Sequence, residues 1–219
     1  MTADLGFEHV LVRGTGSLTL LLLHGTGGDE NQLVDLGRQL APEATLLSPR
    51  GKELENGVSR RFFRRLRVGE FDLPNLLART DELAEFAAGA AVAYDLDAES
   101  VVALGYSNGA NIAASILLRR PEVLAGAALL RATLPYEPET TPVLGGKRVL
   151  LATGTRDPYV PEQLSDRLAG LLEAGGAEVT YLKSDGGHEL AEAELERVGE
   201  WLRSEQRAAG CGHQVPRTG

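Results

Sequence analysis

Short apolar runs alternate along the chain with longer segments whose apolar residues recur every three or four positions. The short runs predict strands, and several are apolar throughout, as in strands that are buried on both faces. The longer segments have the spacing of helices with one buried side. The predicted strands span residues 8–12, 18–23, 44–47, 100–104, 126–130, 148–153 and 178–183, and the predicted helices span residues 29–40, 75–94, 108–119, 161–174 and 190–203.

This alternation of strands and helices predicts an α/β fold with a mostly parallel central sheet and helices on both faces. The first one or two strands could be antiparallel strands at the sheet edge. Asp29 is the expected N-cap of the first helix. We expect a single domain over residues 1–203 and a disordered tail over residues 204–219, where the helical pattern fades.

The net charge of the chain disfavours some classes of binding partner. The chain has 22 Lys and Arg against 31 Asp and Glu, a net charge of −9, which argues against nucleic acid or an anionic membrane as the main partner. Cys211 is the one cysteine, so no intrachain disulfide can form. The N-terminus has no basic region typical of a signal peptide, and the early apolar run SLTLLLL is too short to span a bilayer. We therefore expect a soluble, cytoplasmic protein without membrane insertion.

The stretch GYSNG at residues 105–109 places Ser107 between a predicted strand and a predicted helix. A tight strand-to-helix turn of this G-x-S-x-G type strains the serine backbone and holds its hydroxyl above the sheet. The pentapeptide alone is weak evidence, but here the strand before it and the helix after it are both predicted. Ser107 is the candidate nucleophile, and a serine at the N-terminus of a helix in a nucleotide-binding α/β protein is the less favoured alternative.

A serine hydroxyl needs a base, and the base needs a carboxylate that orients it. Among the four histidines, His188 follows the last predicted strand in a glycine-rich loop. Asp157 follows another apolar strand, and the order Ser107, Asp157, His188 is the chain order of an α/β-hydrolase triad. Asp185 is the rival acid, but it lies only three residues before His188, so Asp157 is favoured.

The glycine-rich loop HGTGG at residues 24–28 follows an early strand, where backbone N–H groups could stabilise an oxyanion. The predicted donors are the N–H of Thr26 and that of Asn108, the residue after the serine. His24 is predicted to be structural, orienting this loop through hydrogen bonds. The loop matches neither the dinucleotide fingerprint nor a P-loop, because Glu30 stands in the last glycine position and no lysine follows.

Six segments taken together resemble the phospholipase/carboxylesterase family of α/β-hydrolases: LLLLHGTGGDEN, LLSPRG, RRFFRRLRVGEFDLPNLLARTDELAEF, ALGYSNGANIAASILL, TGTRDPYVP and GGHEL. The family includes acyl-protein thioesterases, which carry glutamine after the serine where this chain has Asn108. The arginine- and phenylalanine-rich residues 60–67 also look more like the bacterial esterase subgroup. The resemblance implies Ser107, Asp157 and His188 as the triad and Thr26 and Asn108 as oxyanion donors. It also implies a minimal hydrolase without a large lid domain, with a homodimer as a candidate assembly.

The segment 51–73 is the least regular part of the body, and long connections of this kind are often functional. The resemblance implies that it lies near the site. We expect Phe62 and Phe63 to border the substrate pocket, and an arginine, Arg64 or Arg61, to face an anionic group of the substrate or a local acid. The five arginines of residues 60–67 come with no nucleic-acid-binding motif.

The sequence therefore predicts a serine carboxylester hydrolase that acts on small to medium acyl esters through an acyl-enzyme. No metal or organic cofactor is expected, because the triad chemistry uses none. A thioesterase or lysophospholipase of the same fold is the alternative within enzymes. A ligand-binding or regulatory module with slow turnover is the alternative outside them, since a fold does not determine a function.

Overall fold

A seven-stranded sheet forms the centre of the computed structural model, which describes residues 5–211. Its order is β1-β3-β2-β8-β9-β10-β11, with β1 antiparallel to β3 and every other pair parallel. Two small hairpins, β4–β5 and β6–β7, stand outside the sheet. The strands are β1 (His9–Val12), β2 (Thr19–Leu23), β3 (Thr45–Pro49), β4 (Glu53–Glu55), β5 (Ser59–Arg61), β6 (Arg65–Arg67), β7 (Glu70–Phe71), β8 (Val101–Tyr106), β9 (Gly126–Leu130), β10 (Arg148–Gly154) and β11 (Glu178–Ser184).

Helices cover both faces of the sheet, because successive residues of the central strands β2, β8 and β9 point to opposite sides and are apolar and buried on both. The helices are α1 (Val34–Leu40), α2 (Leu73–Ala93), α3 (Asn108–Arg119), α4 (Glu162–Ala174) and α5 (Glu192–Cys211). Side chains of α2, α3 and α4 join one apolar core, whereas those of α1 and α5 join a second core on the other face. This is the α/β-hydrolase architecture that the sequence predicts, without a large lid.

The largest error in the predicted boundaries is at the C-terminal end. The tail was expected to be disordered from residue 204, but α5 continues to Cys211, so the prediction is wrong for residues 204–211. Glu205 is buried and forms an ion pair with Arg148 of β10, and Ser204 accepts a second hydrogen bond from the same arginine. These contacts stabilise the last turns of the helix; residues 212–219 lie outside the described part of the chain.

The N-terminal end of α1 also differs from the prediction. The helix begins at Val34 with Leu33 as its N-cap, and Asp29 instead accepts a hydrogen bond from the N–H of Asn31 (2.8 Å). Asp29 therefore stabilises a local turn rather than capping the helix, which is the competing role that short acidic side chains have. The preceding residues are thus left as a turn-rich loop at the carboxyl end of β2.

The segment 51–73 is more ordered than an irregular connection. Its two hairpins lie between β3 and α2, and ion pairs connect their side chains to each other and to α2. The ion pairs that join the segment to itself or to α2 include Glu53–Arg79, Glu55–Arg65, Arg64–Asp72 and Arg67–Glu70.

None of the helices in the described range 5–211 is long and apolar enough to cross a membrane.

Candidate active site

Ser107 occupies the turn between β8 and α3 at the carboxyl edge of the sheet. Its backbone is in a strained region, with φ 53° and ψ −111°, and its N–H donates to the carbonyl of Leu130 in the adjacent strand (2.8 Å). A non-glycine residue with positive φ persists only when the surrounding structure holds it, and such strain is typical of functional sites. The turn therefore presents the serine side chain above the strand ends.

The positions of Gly105 and Gly109, on either side of Ser107, leave no room for a side chain. A Cβ atom on Gly105 would lie 2.6 Å from the carbonyl oxygen of Gly109, and one on Gly109 would lie 1.9 Å from the carbonyl oxygen of Leu23. Both distances are shorter than any real Cβ contact and both involve backbone, which cannot swing aside. Only glycine permits α3 to begin this close to β2 and β8.

The structure brings the three predicted polar side chains into one hydrogen-bonded series. Ser107 Oγ lies 2.9 Å from His188 Nε2, and His188 Nδ1 lies 2.7 Å from Asp157 Oδ2. An ionised carboxylate only accepts hydrogen bonds, so Nδ1 carries the proton and Nε2 accepts from the serine hydroxyl. The rival acid Asp185 is exposed and forms an ion pair with Arg156 (2.9 Å) instead.

Backbone groups orient the Asp157 carboxylate. Its side chain is fully buried, and Oδ1 accepts hydrogen bonds from the N–H groups of Tyr159 (2.8 Å) and Val160 (3.2 Å). Oδ2 is thereby directed to the imidazole of His188. The ring of Tyr159 packs edge-on against the same imidazole, with 5.2 Å between ring centroids, and restricts its tilt.

Three consecutive carbonyls of the His188 loop are held by side chains from the sheet. Arg131 donates from Nε to the carbonyl of Gly187 (2.9 Å) and from Nη2 to that of Glu189 (2.7 Å). The hydroxyl of Tyr106 donates to the carbonyl of His188 itself (3.1 Å). The backbone on both sides of the imidazole is therefore anchored to the ends of β8 and β9.

Arg131 is held in turn by a buried carboxylate. It is fully buried and forms two hydrogen bonds with Glu194 of α5, each 2.8 Å long. Burial acts to raise the pKa of Glu194, but the hydrogen bonds from Arg131 and from the N–H of Ala191 outweigh it and lower that pKa. The sequence analysis did not identify Arg131 or Tyr106 as site residues. The position of Arg131, a charged residue directly after the apolar strand β9, was a signal that could have found it.

His24 fixes the backbone of the glycine-rich loop after β2. Its ring is buried, Nε2 accepts from the N–H of Gly51 (2.9 Å), and Nδ1 donates to the carbonyl of Gly25 (2.8 Å). Burial lowers the pKa of this imidazole, in line with a neutral ring that donates through one nitrogen and accepts through the other. The N–H of Gly25 donates to Gln32 (2.9 Å), which holds the other side of the loop.

The predicted oxyanion donors, Thr26 and Asn108, both border the same cavity as Ser107. The hydrogen bonds recorded within residues 5–211 use neither of their backbone N–H groups. Their side chains are occupied instead: Thr26 Oγ1 accepts from Arg61 Nη1 (2.8 Å), and Asn108 Oδ1 accepts from the N–H of Phe62 (2.7 Å). Neither backbone N–H group therefore has a hydrogen-bond acceptor within residues 5–211.

The cavity beside Ser107 and His188 has a volume of about 620 Å³ and is bordered by both hairpins of segment 51–73, by residues 133–136 and 159–161 and by Leu164. Its apolar lining includes Val68, Phe71, Leu73, Leu134, Tyr136, Val160 and Leu164. A volume of this size is typical of small-molecule sites.

The expected substrate contacts of segment 51–73 need correction. Phe62 and Phe63 do not line the cavity; both are buried, Phe62 against His24 (4.6 Å between centroids) and Phe63 against Phe71 (5.0 Å). Arg64 does not line it either, because its guanidinium pairs with Asp72 (3.0 Å). The two apolar rings pack in the core. The arginines that border the cavity are Arg61, which was the expected alternative to Arg64, and Arg65.

Comparison with known proteins supports this fold and identifies the family. The model of the Phospholipase/Carboxylesterase family matches residues 13–205. MhqD of Bacillus subtilis (strain 168), whose name describes it as a hydrolase, is 42% identical over 196 residues, which are 90% of this chain and 98% of that protein. This chain belongs to the phospholipase/carboxylesterase family, and it is a hydrolase.

Solved structures show the same relationship. The carboxylesterase of Bacillus cereus has 44% sequence identity and a TM-score of 0.88, covering 91% of this chain and 94% of that one. YahD, whose structure was solved with malic acid, has 33% identity and a TM-score of 0.85, covering 91% of this chain and 99% of that one.

Proposed function

We propose that this hydrolase is a serine carboxylesterase that acts on small to medium acyl esters. The observation that carries the proposal is the hydrogen-bonded series from Ser107 through His188 to Asp157 at the edge of the cavity. The carboxylesterase of Bacillus cereus, similar over nearly the whole chain, supports the reaction class. Malic acid, the molecule named with the YahD structure, supports a small ligand.

In the proposed mechanism, Ser107 Oγ attacks the ester carbonyl while His188 Nε2 takes the hydroxyl proton. Asp157 holds the imidazole in the required tautomer and stabilises its positive charge. The tetrahedral intermediate collapses when the C–O bond to the alcohol breaks and His188 returns the proton to the leaving oxygen. Water then attacks the acyl-serine with the same proton transfers, releasing the carboxylic acid and restoring the serine.

The N–H groups of Thr26 and Asn108 are the proposed donors to the oxyanion. Both border the cavity and neither is used by the hydrogen bonds recorded in the described chain. Loss of one such donor typically costs about 3–4 kcal/mol of transition-state stabilisation. The apolar residues of the cavity would receive the acyl or alcohol group.

The test combines covalent labelling with turnover. We expect a fluorophosphonate probe to add one adduct at Ser107, measured by intact-protein mass spectrometry, and p-nitrophenyl acetate, butyrate and octanoate to be hydrolysed. Ser107→Ala should lose both the adduct and turnover while remaining folded by circular dichroism. A labelled protein that turns over no ester or acyl-CoA would instead support a binding or regulatory module. An acyl-CoA preferred over every oxygen ester would identify a thioesterase.

A further inference from the structure

Two arginines on the cavity surface share one carboxylate. Arg65 forms a two-point ion pair with Glu55, with Nε–Oε1 and Nη2–Oε2 distances of 2.6 and 2.9 Å. The nearest approach of Arg61 to the same carboxylate is 3.8 Å, which is too long for a hydrogen bond. Glu70, another charged residue that borders the cavity, is paired with Arg67 (2.6 Å). The positive charge of Arg61 is therefore only partly balanced.

The remaining partners of Arg61 are neutral. Nε donates to the carbonyl of Phe63 (3.1 Å), Nη1 donates to Thr26 Oγ1 (2.8 Å), and no partner is recorded for Nη2 within the described chain. Only 4% of the side chain is exposed. Burial, together with repulsion from Arg65, lowers the pKa of Arg61 to about 10, against the partial attraction of Glu55. An additional anion stabilises a buried cation whose charge is only partly balanced.

Two residues that border the cavity each have a buried side-chain atom without a hydrogen-bond partner in the described structure, Asn108 Nδ2 and Thr133 Oγ1. The amide orientation of Asn108 follows from its contacts, because Oδ1 accepts from Phe62 N–H and Nδ2 is left as the donor. Buried polar groups are nearly always satisfied, so unpaired ones in residues that border a cavity favour an acceptor supplied by a ligand.

We propose that the cavity selects esters that carry a carboxylate, with Arg61 as the residue that recognises the charge and Asn108 Nδ2 as an additional donor. The inference rests on the proposed esterase function and adds the substrate class. Because the whole chain carries a net charge of −9, long-range attraction does not favour an anion, and recognition must come from these local groups.

The experiment compares esters of matched shape that differ in charge, with acid release followed by pH-stat titration. Monoethyl succinate is compared with ethyl isocaproate for a charge on the acyl side, and acetoxyacetate with isobutyl acetate for a charge on the alcohol side. The measured quantity is the ratio of kcat/KM for the charged ester to that for its neutral counterpart. Effects on the oxyanion loop cancel in this ratio, because they act on both esters.

We expect the ratio to exceed one for at least one pair in the unmodified protein and to fall roughly 10- to 100-fold in Arg61→Met, the range of a charge-assisted hydrogen bond. Arg61→Lys should keep part of the preference. Arg119→Met removes a charge at the far end of α3, where Arg119 pairs with Asp81, and should leave the ratio unchanged. Glu55→Gln removes the shared carboxylate and should raise the ratio, a change in the opposite direction.

Several outcomes would overturn the inference. Hydrolysis of the neutral esters with a ratio at or below one for both pairs would reject charge selection and leave the esterase proposal standing. A ratio that falls equally in Arg119→Met would assign the effect to net charge rather than to Arg61. If Arg61→Met does not fold, a ratio that stays constant or falls in Glu55→Gln decides against the inference. Absence of any ester turnover and of any Ser107 adduct would reject the esterase proposal and the inference with it.

Discussion

Arg131 and Arg61 are both buried arginines near Ser107, yet they differ in how their donors are used. Arg131 donates to two carbonyls of the His188 loop and to both oxygens of Glu194, so protein acceptors satisfy its charge and its hydrogen bonds. Arg61 has two neutral acceptors and a carboxylate at 3.8 Å that also serves Arg65. A buried arginine whose charge and donors are all paired within the protein holds neighbouring segments in place. One whose charge is only partly balanced, beside a cavity, can bind an anionic ligand.

The largest effect expected from this comparison is that of Arg131→Met. The variant leaves Glu194 buried and unpaired, which costs about 3–5 kcal/mol in the free energy of unfolding. It also releases the carbonyls on both sides of His188, and a displacement of about 1 Å in a catalytic group can lower kcat by ~100-fold. Chemical denaturation and steady-state kinetics measure the two effects separately, with KM expected to change little.

A double variant separates positioning from stability. Arg131→Met with Glu194→Met removes both charges, so most of the stability should return while kcat stays low, since the loop carbonyls still lack their donors. A double variant with full kcat would show that the Arg131 contacts are not needed to position His188.

His24 is a third buried basic residue. It differs from Arg131 and Arg61 because its ring is neutral and forms no ion pair within residues 5–211. Its folded-state pKa is lowered by burial, whereas in the unfolded chain it has the ordinary value of about 6.5. The contribution of His24 to the free energy of unfolding is therefore fully present above about pH 6.5. It is lost as the pH falls below that value, by at most ~1.4 kcal/mol per pH unit. Urea unfolding of the unmodified protein and His24→Asn at pH 5 to 8 measures the difference.

The His24 difference should be constant above pH 7 and shrink towards pH 5. A difference that does not depend on pH would mean that protonation of His24 is not linked to unfolding. His9 is half-buried on the edge strand β1, where its ring nitrogens contact the carbonyl of Phe7 and the hydroxyl of Tyr94, and His9→Asn provides a matched control.

The smallest effect is expected for Arg64→Met, which extends the comparison to an exposed arginine. Its side chain is 57% exposed and pairs with Asp72, outside the cavity. Exposed ion pairs contribute about 0–1 kcal/mol, so stability should change by less than that and kcat/KM for each ester by less than about twofold. A selective loss of activity on charged esters in this variant would assign anion recognition to Arg64 rather than to Arg61.

The elements that carry Ser107, Asp157 and His188 could be predicted because each follows an apolar strand of a parallel sheet. The carboxyl ends of such strands meet at one edge, so residues 50 and 31 positions apart along the chain come together there. The boundaries of β9 and α3 also agreed with the apolar pattern to the residue. Local periodicity and chain order were sufficient for these features, since neither depends on the details of packing.

Segment 51–73 could not be predicted in the same way. Phe62, Phe63 and either Arg64 or Arg61 were expected at the substrate pocket, and of these four Arg61 alone borders it, together with Arg65. A run of five arginines and two phenylalanines has no periodicity that tells one face of a short hairpin from the other, and a shift of one residue exchanges the faces. Only the pairing of β4 with β5 and β6 with β7 decides which side chains reach the cavity.

The sequence by itself determined the α/β architecture, the strained turn at Ser107 and the order of its candidate partners, because these follow from local patterns and a small set of chain topologies. The tertiary structure decided the role of Arg131, the partial balance of Arg61 and the extension of α5 past residue 203. Each of these depends on charges and carbonyls far apart in the chain, such as Arg131 with Glu194 or Arg148 with Glu205. Whether a buried charge is satisfied is a property of its neighbours in space, which the order of residues does not reveal.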